Sequence, residues 1–314
     1  MSLMFIENPS YASNWVITPK RDKGGIIVGQ YPMIDYYPSQ HIDKLIKNRV
    51  SVWVNLVEQK EKDLNGDYKN YVKENTNWCS PKFISFPIPD GMISRDKEFF
   101  DLIEKVYSLF CKRHIIYVHC HAGHGRAGLF ATCFLMRHYK WEAGKALDVN
   151  QLLYLSRKRN FKRPSPGSLW QINQIRRYCP PKTIIITGDR ESANSFQKII
   201  YRVLKDLPKG SVIIHGACKG VDTISGKIAS ELGFKVIEYP IKGSMLLEYG
   251  RAAGTIRNRK MLEEKPDAVF AFHPDIIHSK GTKDMIMAAH LQNFPVYIYD
   301  LKDIVKFEGD FYSM

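Results

Sequence analysis

Residues 115–139, IIYVHCHAGHGRAGLFATCFLMRHY, carry a short apolar run straight into a glycine-rich turn and then into a longer apolar stretch. A strand that hands over through a tight turn to an apolar helix belongs to a sheet covered by helices, so the chain is expected to be α/β. The neighbouring sequence agrees. VSVWVNL (50–56) and KFISFPI (82–88) read as strands, and KEFFDLIEKVYSLF (97–110) reads as a helix, apolar at Phe99, Phe100, Ile103, Val106, Tyr107 and Phe110. Beyond residue 182, TIIIT (183–187), SVIIH (211–215), KVIEY (235–239), AVFAF (268–272) and VYIYD (296–300) alternate with helical stretches, the pattern of βαβ units and a parallel sheet.

Between the two series stands Tyr-Cys-Pro-Pro-Lys (178–182), where consecutive prolines disfavour helix on either side. A chain of 314 residues exceeds what one core usually serves, so two α/β domains are expected, 1–179 and 180–314. Charge separates them as well: residues 1–179 hold 27 Lys and Arg against 16 Asp and Glu, and residues 180–314 hold 19 against 16. A field of that sign attracts phosphorylated or otherwise anionic substrates and also suits an acidic membrane surface or nucleic acid, although nothing singles out nucleic acid. A solvated basic face would look the same. No apolar run approaches the roughly 18–20 residues that span a bilayer, and the opening MSLMFIENPSYASNW lacks a signal-peptide pattern, so a cytoplasmic location is expected. The six cysteines form no C-x-x-C pair, which argues against a zinc ribbon or a disulfide framework. Cys79, Cys111, Cys133 and Cys179 read as small buried hydrophobes.

Cys120 opens a loop that Arg126 closes. The backbone N–H groups of His121, Ala122, Gly123, His124 and Gly125 are expected to converge on one point at the start of the following helix. The partial positive charge there favours a phosphate, and glycines at 123, 125 and 128 remove side chains that would crowd it. Arg126 adds a planar fork for two phosphate oxygens. The same field favours the thiolate of Cys120, which is the nucleophilic form. His121 and His124 either add to that field or occupy positions whose backbone does the work. A leaving oxygen needs a proton, and Asp90 in FPIPDGMIS (86–94) is the candidate general acid: Pro87 and Pro89 fix its approach and Gly91 permits movement. The run RKRNFKR (157–163) reads as a grip on a polyanion or as a solvated helix end.

Together these residues resemble the protein tyrosine phosphatase superfamily, most of all its small dual-specificity type, over about residues 25–178. The resemblance rests on NLVE (55–58), the IPDG turn, HCHAGHGRAG and RPSPGSLWQINQ (163–174). It implies hydrolysis of a phosphorylated protein or small anionic phosphate ester through a phosphocysteine, with no cofactor required. Related loops also serve RNA 5′-phosphates and phosphoinositides. By position, Gln174 resembles the family's glutamine that places the hydrolytic water. One departure matters. The residue after the loop arginine is usually Ser or Thr in the family, where its hydroxyl eases departure of the thiolate, and here it is Ala127. That implies slow breakdown of the phosphocysteine, or a phosphate-binding module of low turnover.

In the second half, the strand ends TGDR (187–190) and HGACKGVD (215–222) match neither a dinucleotide fingerprint nor a Walker A loop. The ordered series ITGDR (186–190), HGACKGVD (215–222), GRAAGTIRNRKML (250–262), PDAVFAF (266–272) and SKGTKDM (279–285) is similar to the SLOG superfamily, in its YspA-like branch. That similarity implies a Rossmann-like sheet and a nucleotide-derived ligand. Gly188, Arg190, Gly216, Asp222, Arg257, Asn258, Gly281 and Thr282 would then line the pocket, arginines and N–H groups on phosphate and Asp222 on ribose hydroxyls. A phosphorylated nucleotide derivative held there would also be a candidate substrate for the phosphatase loop. Relatives that cleave adenine from nucleoside monophosphates carry G-G-x-G-T-x-x-E. Here Ser279 and Lys280 replace its opening and Met285 its glutamate, which disfavours that activity. A ligand-free α/β unit or dimerisation platform is the plainer alternative.

Overall fold

β-Branched and aromatic residues dominate the runs that become strands. The computed structural model, which describes residues 7–34, 38–301 and 304–308, gathers the strands into two sheets in two compact units, Met1–Pro180 and Pro181–Met314. The first unit begins with β1 (Ser13–Ile17), β2 (Gly25–Gly29), α1 (Pro38–Lys47), β3 (Val50–Asn55), α2 (Gln59–Asn65) and α3 (Lys69–Asn75). It continues with β4 (Lys82–Ser85), α4 (Asp96–Cys111), β5 (Ile115–His119), α5 (Arg126–Tyr139), α6 (Ala143–Leu155) and α7 (Leu169–Arg177).

Its sheet runs β1-β2-β5-β3-β4, parallel except for the β1–β2 pair. Gly29, His119, Asn55 and Ser85 lie in register across the four parallel strands, so all four end at one edge. The chain past β5 enters the Cys120 loop from that edge, where ligands gather in such sheets. β4 stops at Ser85, short of the expected 88, because Pro87 has no N–H to donate. Phe86 and Ile88 still donate to the carbonyls of Asn55 and Leu56, which carries the next segment along the same edge. Helix α5 is buried over Arg126–Met136. A helix apolar on every side is a core element, and this one seats the loop rigidly. Cys133 on it is buried, but Cys111 and Cys179 are exposed, against expectation. Cys111 ends α4 and Cys179 follows α7, where helix ends emerge into solvent.

The second unit comprises β6 (Thr183–Gly188), α8 (Ala193–Lys205), β7 (Val212–His215), α9 (Val221–Glu231), β8 (Lys235–Glu238) and α10 (Gly243–Tyr249). A short 3-10 turn follows, then α11 (Ala253–Glu263), β9 (Ala268–Phe272), α12 (Lys280–Leu291), β10 (Val296–Tyr299) and β11 (Ile304–Lys306). The sheet order β11-β10-β9-β6-β7-β8 is doubly wound and parallel apart from β11. Alternation along the strands feeds two cores: Ile184, Ile186, Phe270 and Phe272 lie with Phe196, Ile200 and Ile228, while Ile185, Val269 and Ala271 lie with Met261, Met285 and Ile286. This is a sheet covered on both faces. Among the described residues no helix is long and apolar enough to cross a membrane.

Candidate active site

The loop from Cys120 to Gly125 is shaped by what holds its carbonyls. Tyr31 N–H donates to the carbonyl of His121 (3.0 Å), Arg157 Nη1 to that of Gly123 (2.9 Å) and Ser165 Oγ to that of His124 (2.8 Å). Gly125 accepts from Leu129 N–H in the first turn of α5. With the carbonyls of His121, Gly123, His124 and Gly125 taken up, none of the N–H groups from His121 to Gly125 donates to a backbone acceptor among the described residues, which leaves them as free donors at the start of α5. Such a ring of donors at a helix start is an anion site. Gly123 has φ +77°, and a Cβ there would lie 2.6 Å from Gln30 N, so only glycine fits. Cys120 is buried at the base.

Arg126, the first residue of α5, is 1% exposed. Its Nη1 and Nη2 each lie 2.7 Å from a carboxylate oxygen of Glu61, Nη1 also donates to the Ile88 carbonyl (2.9 Å), and Nη2 lies 2.9 Å from Asp90 Oδ1. Its Nε is buried with no acceptor. An unmade charged donor inside a protein is costly, and this one is left available to an anion. Burial works against a charged guanidinium, but the Glu61 hydrogen bonds and the charges of Cys120, Glu61 and Asp90 outweigh it, so Arg126 holds its proton more tightly than usual. Burial likewise opposes ionisation of Glu61, yet Arg126 and the Glu58 N–H keep its carboxyl below the usual range.

Asp90 is 83% exposed and reaches Arg126 from the segment after β4. Gly91 follows at φ +72° with open space around it. Behind this segment, Gln171 of α7 is fully buried: its Nε2 donates to the Met92 carbonyl (3.2 Å), its Oε1 accepts from Gly167 N–H, and a Cβ on Gly125 would stand 3.5 Å from its amide. Gln174 lies elsewhere. Its Nε2 is spent on the Ser94 carbonyl and Asp96, each at 2.8 Å, because one helical turn separates it from the position that borders the loop. The glutamine beside the loop is therefore Gln171.

His119, just ahead of Cys120, is buried and shares a 2.7 Å hydrogen bond with Tyr68 Oη. Burial brings its pKa down to about 3, so it is neutral. Burial also lowers His124, with Arg163 and Arg157 nearby acting in the same direction, so His124 adds little positive charge to the loop. Ala127 is fully buried, and the hydroxyl of Ser165, which packs against Gly128, is committed to the His124 carbonyl. Of the run 157–163, Arg157 is neither a grip nor solvated but props the loop from behind.

Sequence reasoning missed Glu61, Gln171 and the role of Arg157. Glu58 and Glu61 form a capping box, Glu58 N–H donating to Glu61 Oε2 at 2.9 Å. That E-x-x-E after a strand was the available signal for a carboxylate at the sheet edge.

A buried thiol, a buried arginine fork, loop N–H groups without backbone acceptors and an exposed carboxylate beside the arginine make up a cysteine-based phosphatase site. The family comparison agrees. Residues 34–177 match the family model for the dual specificity phosphatase catalytic domain. The “Putative tyrosine phosphatase 067L” of Invertebrate iridescent virus 3 is 28% identical over 122 residues, 37% of this chain and 50% of that protein. The chain thus aligns with about half of that relative's length. A mutant form of Tk-PTP matches at 18% identity and TM-score 0.39, covering 50% of this chain and 91% of the other. TpbA of P. aeruginosa matches at 15% and 0.35, covering 48% and 83%. Residues 34–177 are a dual-specificity phosphatase catalytic domain of the protein tyrosine phosphatase superfamily.

In the second unit a cavity of about 360 Å³ opens at the carboxyl ends of β6 and β9, and Gly188, Arg190, Asp222, Arg257, Gly281 and Thr282 line it. Gly216 and Asn258 shape it from outside: the Gly216 carbonyl accepts from Arg257 Nη1 (2.6 Å), and Asn258 Nδ2 donates to Asp284 (2.8 Å). Burial raises the pKa of Asp222 against the pull of the Cys218 N–H, His215 and Arg257.

Proposed function

We propose that the first unit hydrolyses phosphate monoesters on phosphorylated proteins or small esters through a phosphocysteine. The observation that carries this is the unpartnered Nε of Arg126 beside a ring of uncommitted N–H groups over Cys120. A phosphate would take Nε and Nη2 and displace Asp90 from Nη2, leaving that carboxyl, once protonated, beside the ester oxygen. The Cys120 sulfur attacks phosphorus, the P–O bond breaks, and the leaving oxygen takes the Asp90 proton. Water then attacks the phosphocysteine, returning a proton to Asp90 and releasing phosphate and thiolate. Cys120→Ser should abolish hydrolysis of p-nitrophenyl phosphate, and retained turnover refutes the reading. A low-turnover phosphate-binding module is the second reading, favoured by the buried Ala127. Tight vanadate binding with negligible steady-state rate would select it.

For the second unit we infer a site for a nucleotide-derived ligand of the SLOG kind. Support comes from six of the eight motif residues lining one cavity at the strand switch point. Met285, fully buried, supplies no carboxylate for base cleavage. Thermal shifts with ADP-ribose and NAD, lost in Arg257→Ala, are expected. Shifts no larger than those from plain phosphate would count against it.

A further inference from the structure

The mouth of the phosphatase loop carries exposed apolar side chains of a kind that a soluble phosphate ester does not need. Phe161 is 47% exposed, Leu169 76%, Trp170 62% and Met92 48%. All four are tied to the loop. The Phe161 ring sits 6.2 Å from that of His124, and its N–H donates to Tyr154 Oη at 2.8 Å. Leu169 and Trp170 open α7 directly ahead of Gln171, whose amide holds the Met92 carbonyl and borders Gly125. Asn160 Oδ1 accepts from Lys162 N–H at 3.1 Å, fixing the turn that displays Phe161. These residues are presented on a built wall.

Charge runs along the same wall. From 158 to 170 the chain has four Lys and Arg and no Asp or Glu. Lys158, Lys162 and Arg163 are exposed there, and none is paired with a carboxylate among the described residues. Tryptophan, phenylalanine and leucine beside lysine and arginine form the combination that settles at the headgroup level of a bilayer, the apolar groups entering the acyl boundary and the cations meeting anionic lipid. Phe161 and Trp170 would serve a base or a lipid, whereas Leu169 and Met92 offer no flat face for a base and suit only an acyl boundary, which favours lipid over single-stranded nucleic acid.

We propose that this rim docks the phosphatase unit on an anionic lipid surface, so that the phosphate entering the Cys120 loop belongs to a lipid headgroup. The proposal rests on the phosphatase reading above and puts a lipid-borne ester in place of a phosphoprotein as its substrate. The test uses the full chain carrying Cys120→Ser, co-sedimented with vesicles of phosphatidylcholine alone or with roughly 30% phosphatidylserine. Binding to the anionic vesicles only, weakened by salt, is expected. At about fivefold for each cation near such a surface, Lys158→Gln, Lys162→Gln and Arg163→Gln together lower the partition coefficient about a hundredfold. Phe161→Ala with Trp170→Ala lowers it again. In chains with Cys120 restored, kcat/KM on a vesicle-borne phosphoinositide, normalised to that on p-nitrophenyl phosphate, falls in the same order. No binding to anionic vesicles, binding indifferent to both variant sets, or a normalised preference for a phosphopeptide or a 5′-phosphorylated oligonucleotide overturns the proposal. Vesicle binding without hydrolysis of any ester would instead refute the phosphatase reading and leave the docking surface standing.

Discussion

Glu61→Gln tests how the site aims its arginine. In the wild-type protein both carboxylate oxygens of Glu61 lie 2.7 Å from Arg126 nitrogens, fixing the guanidinium plane while Nε stays without an acceptor. The amide replaces one acceptor with a donor that faces another donor and removes the charge that offsets a guanidinium 1% exposed. Breaking a buried pair from one side costs about 3–5 kcal/mol. Glu61 is itself 13% exposed, and the Ile88 carbonyl and Asp90 remain on Arg126, so about 2 kcal/mol is the expected share, or roughly thirtyfold in kcat/KM. Steady-state hydrolysis of p-nitrophenyl phosphate measures it, with circular dichroism confirming the fold. The pH dependence adds an independent arm. Because the carboxyl of folded Glu61 lies below its usual 4.5, the pair stabilises the fold above that pH and loses its contribution as pH falls through the depressed value. The stability gap between wild type and Glu61→Gln should therefore close in acid. A folded variant within twofold of wild-type kcat/KM, with a gap that does not vary with pH, refutes the reasoning.

Ala127→Ser should raise steady-state turnover, while the wild type shows a burst of product and Cys120-linked phosphate in rapid-quench experiments; equal rates with no burst would sink the idea. Asp90→Asn should lower kcat/KM, which reports the step that expels the leaving oxygen, by about a hundredfold or more for esters with poor leaving groups. The loss should be much smaller for p-nitrophenyl phosphate, and the same loss for both would remove Asp90 as the acid. Gly123→Ala meets Gln30 N at 2.6 Å in a left-handed conformation and should cost at least about 2 kcal/mol, read as a lowered melting temperature with activity lost. An unchanged melting temperature would mean that the loop is softer than its packing indicates.

What the sequence makes legible here is local. Strand β5, the glycine turn and α5 follow one another within 25 residues, so Cys120 and Arg126 can be related by spacing alone. Asp90 stood out because prolines and a glycine frame it. Glu61, Gln171 and Arg157 reach the loop from 65, 46 and 34 residues away through α2, α7 and the end of α6, and no periodicity encodes such encounters. Gln174 was assigned by its place in a segment, and a single helical turn decided otherwise. The strand pair β1–β2 went unread because five residues each, one run bounded by glycines, give too short an alternation to recognise. In the second unit, βαβ alternation was strong enough to fix the sheet, while β11, three residues long, was not.

Arg157 leaves a final consequence. It is a buried guanidinium that donates to the neutral oxygens of Asn14 and Gly123 and lies over the Tyr154 ring, and burial draws its pKa down to about 10. The native fold thus holds a cation that it would rather not have, directly beneath an anion site. An anion held in the loop offsets part of the cost of burying that charge. Fold stability and phosphate affinity are consequently opposed at this one position: a neutral side chain that made the empty protein sturdier would make it a poorer host for phosphate.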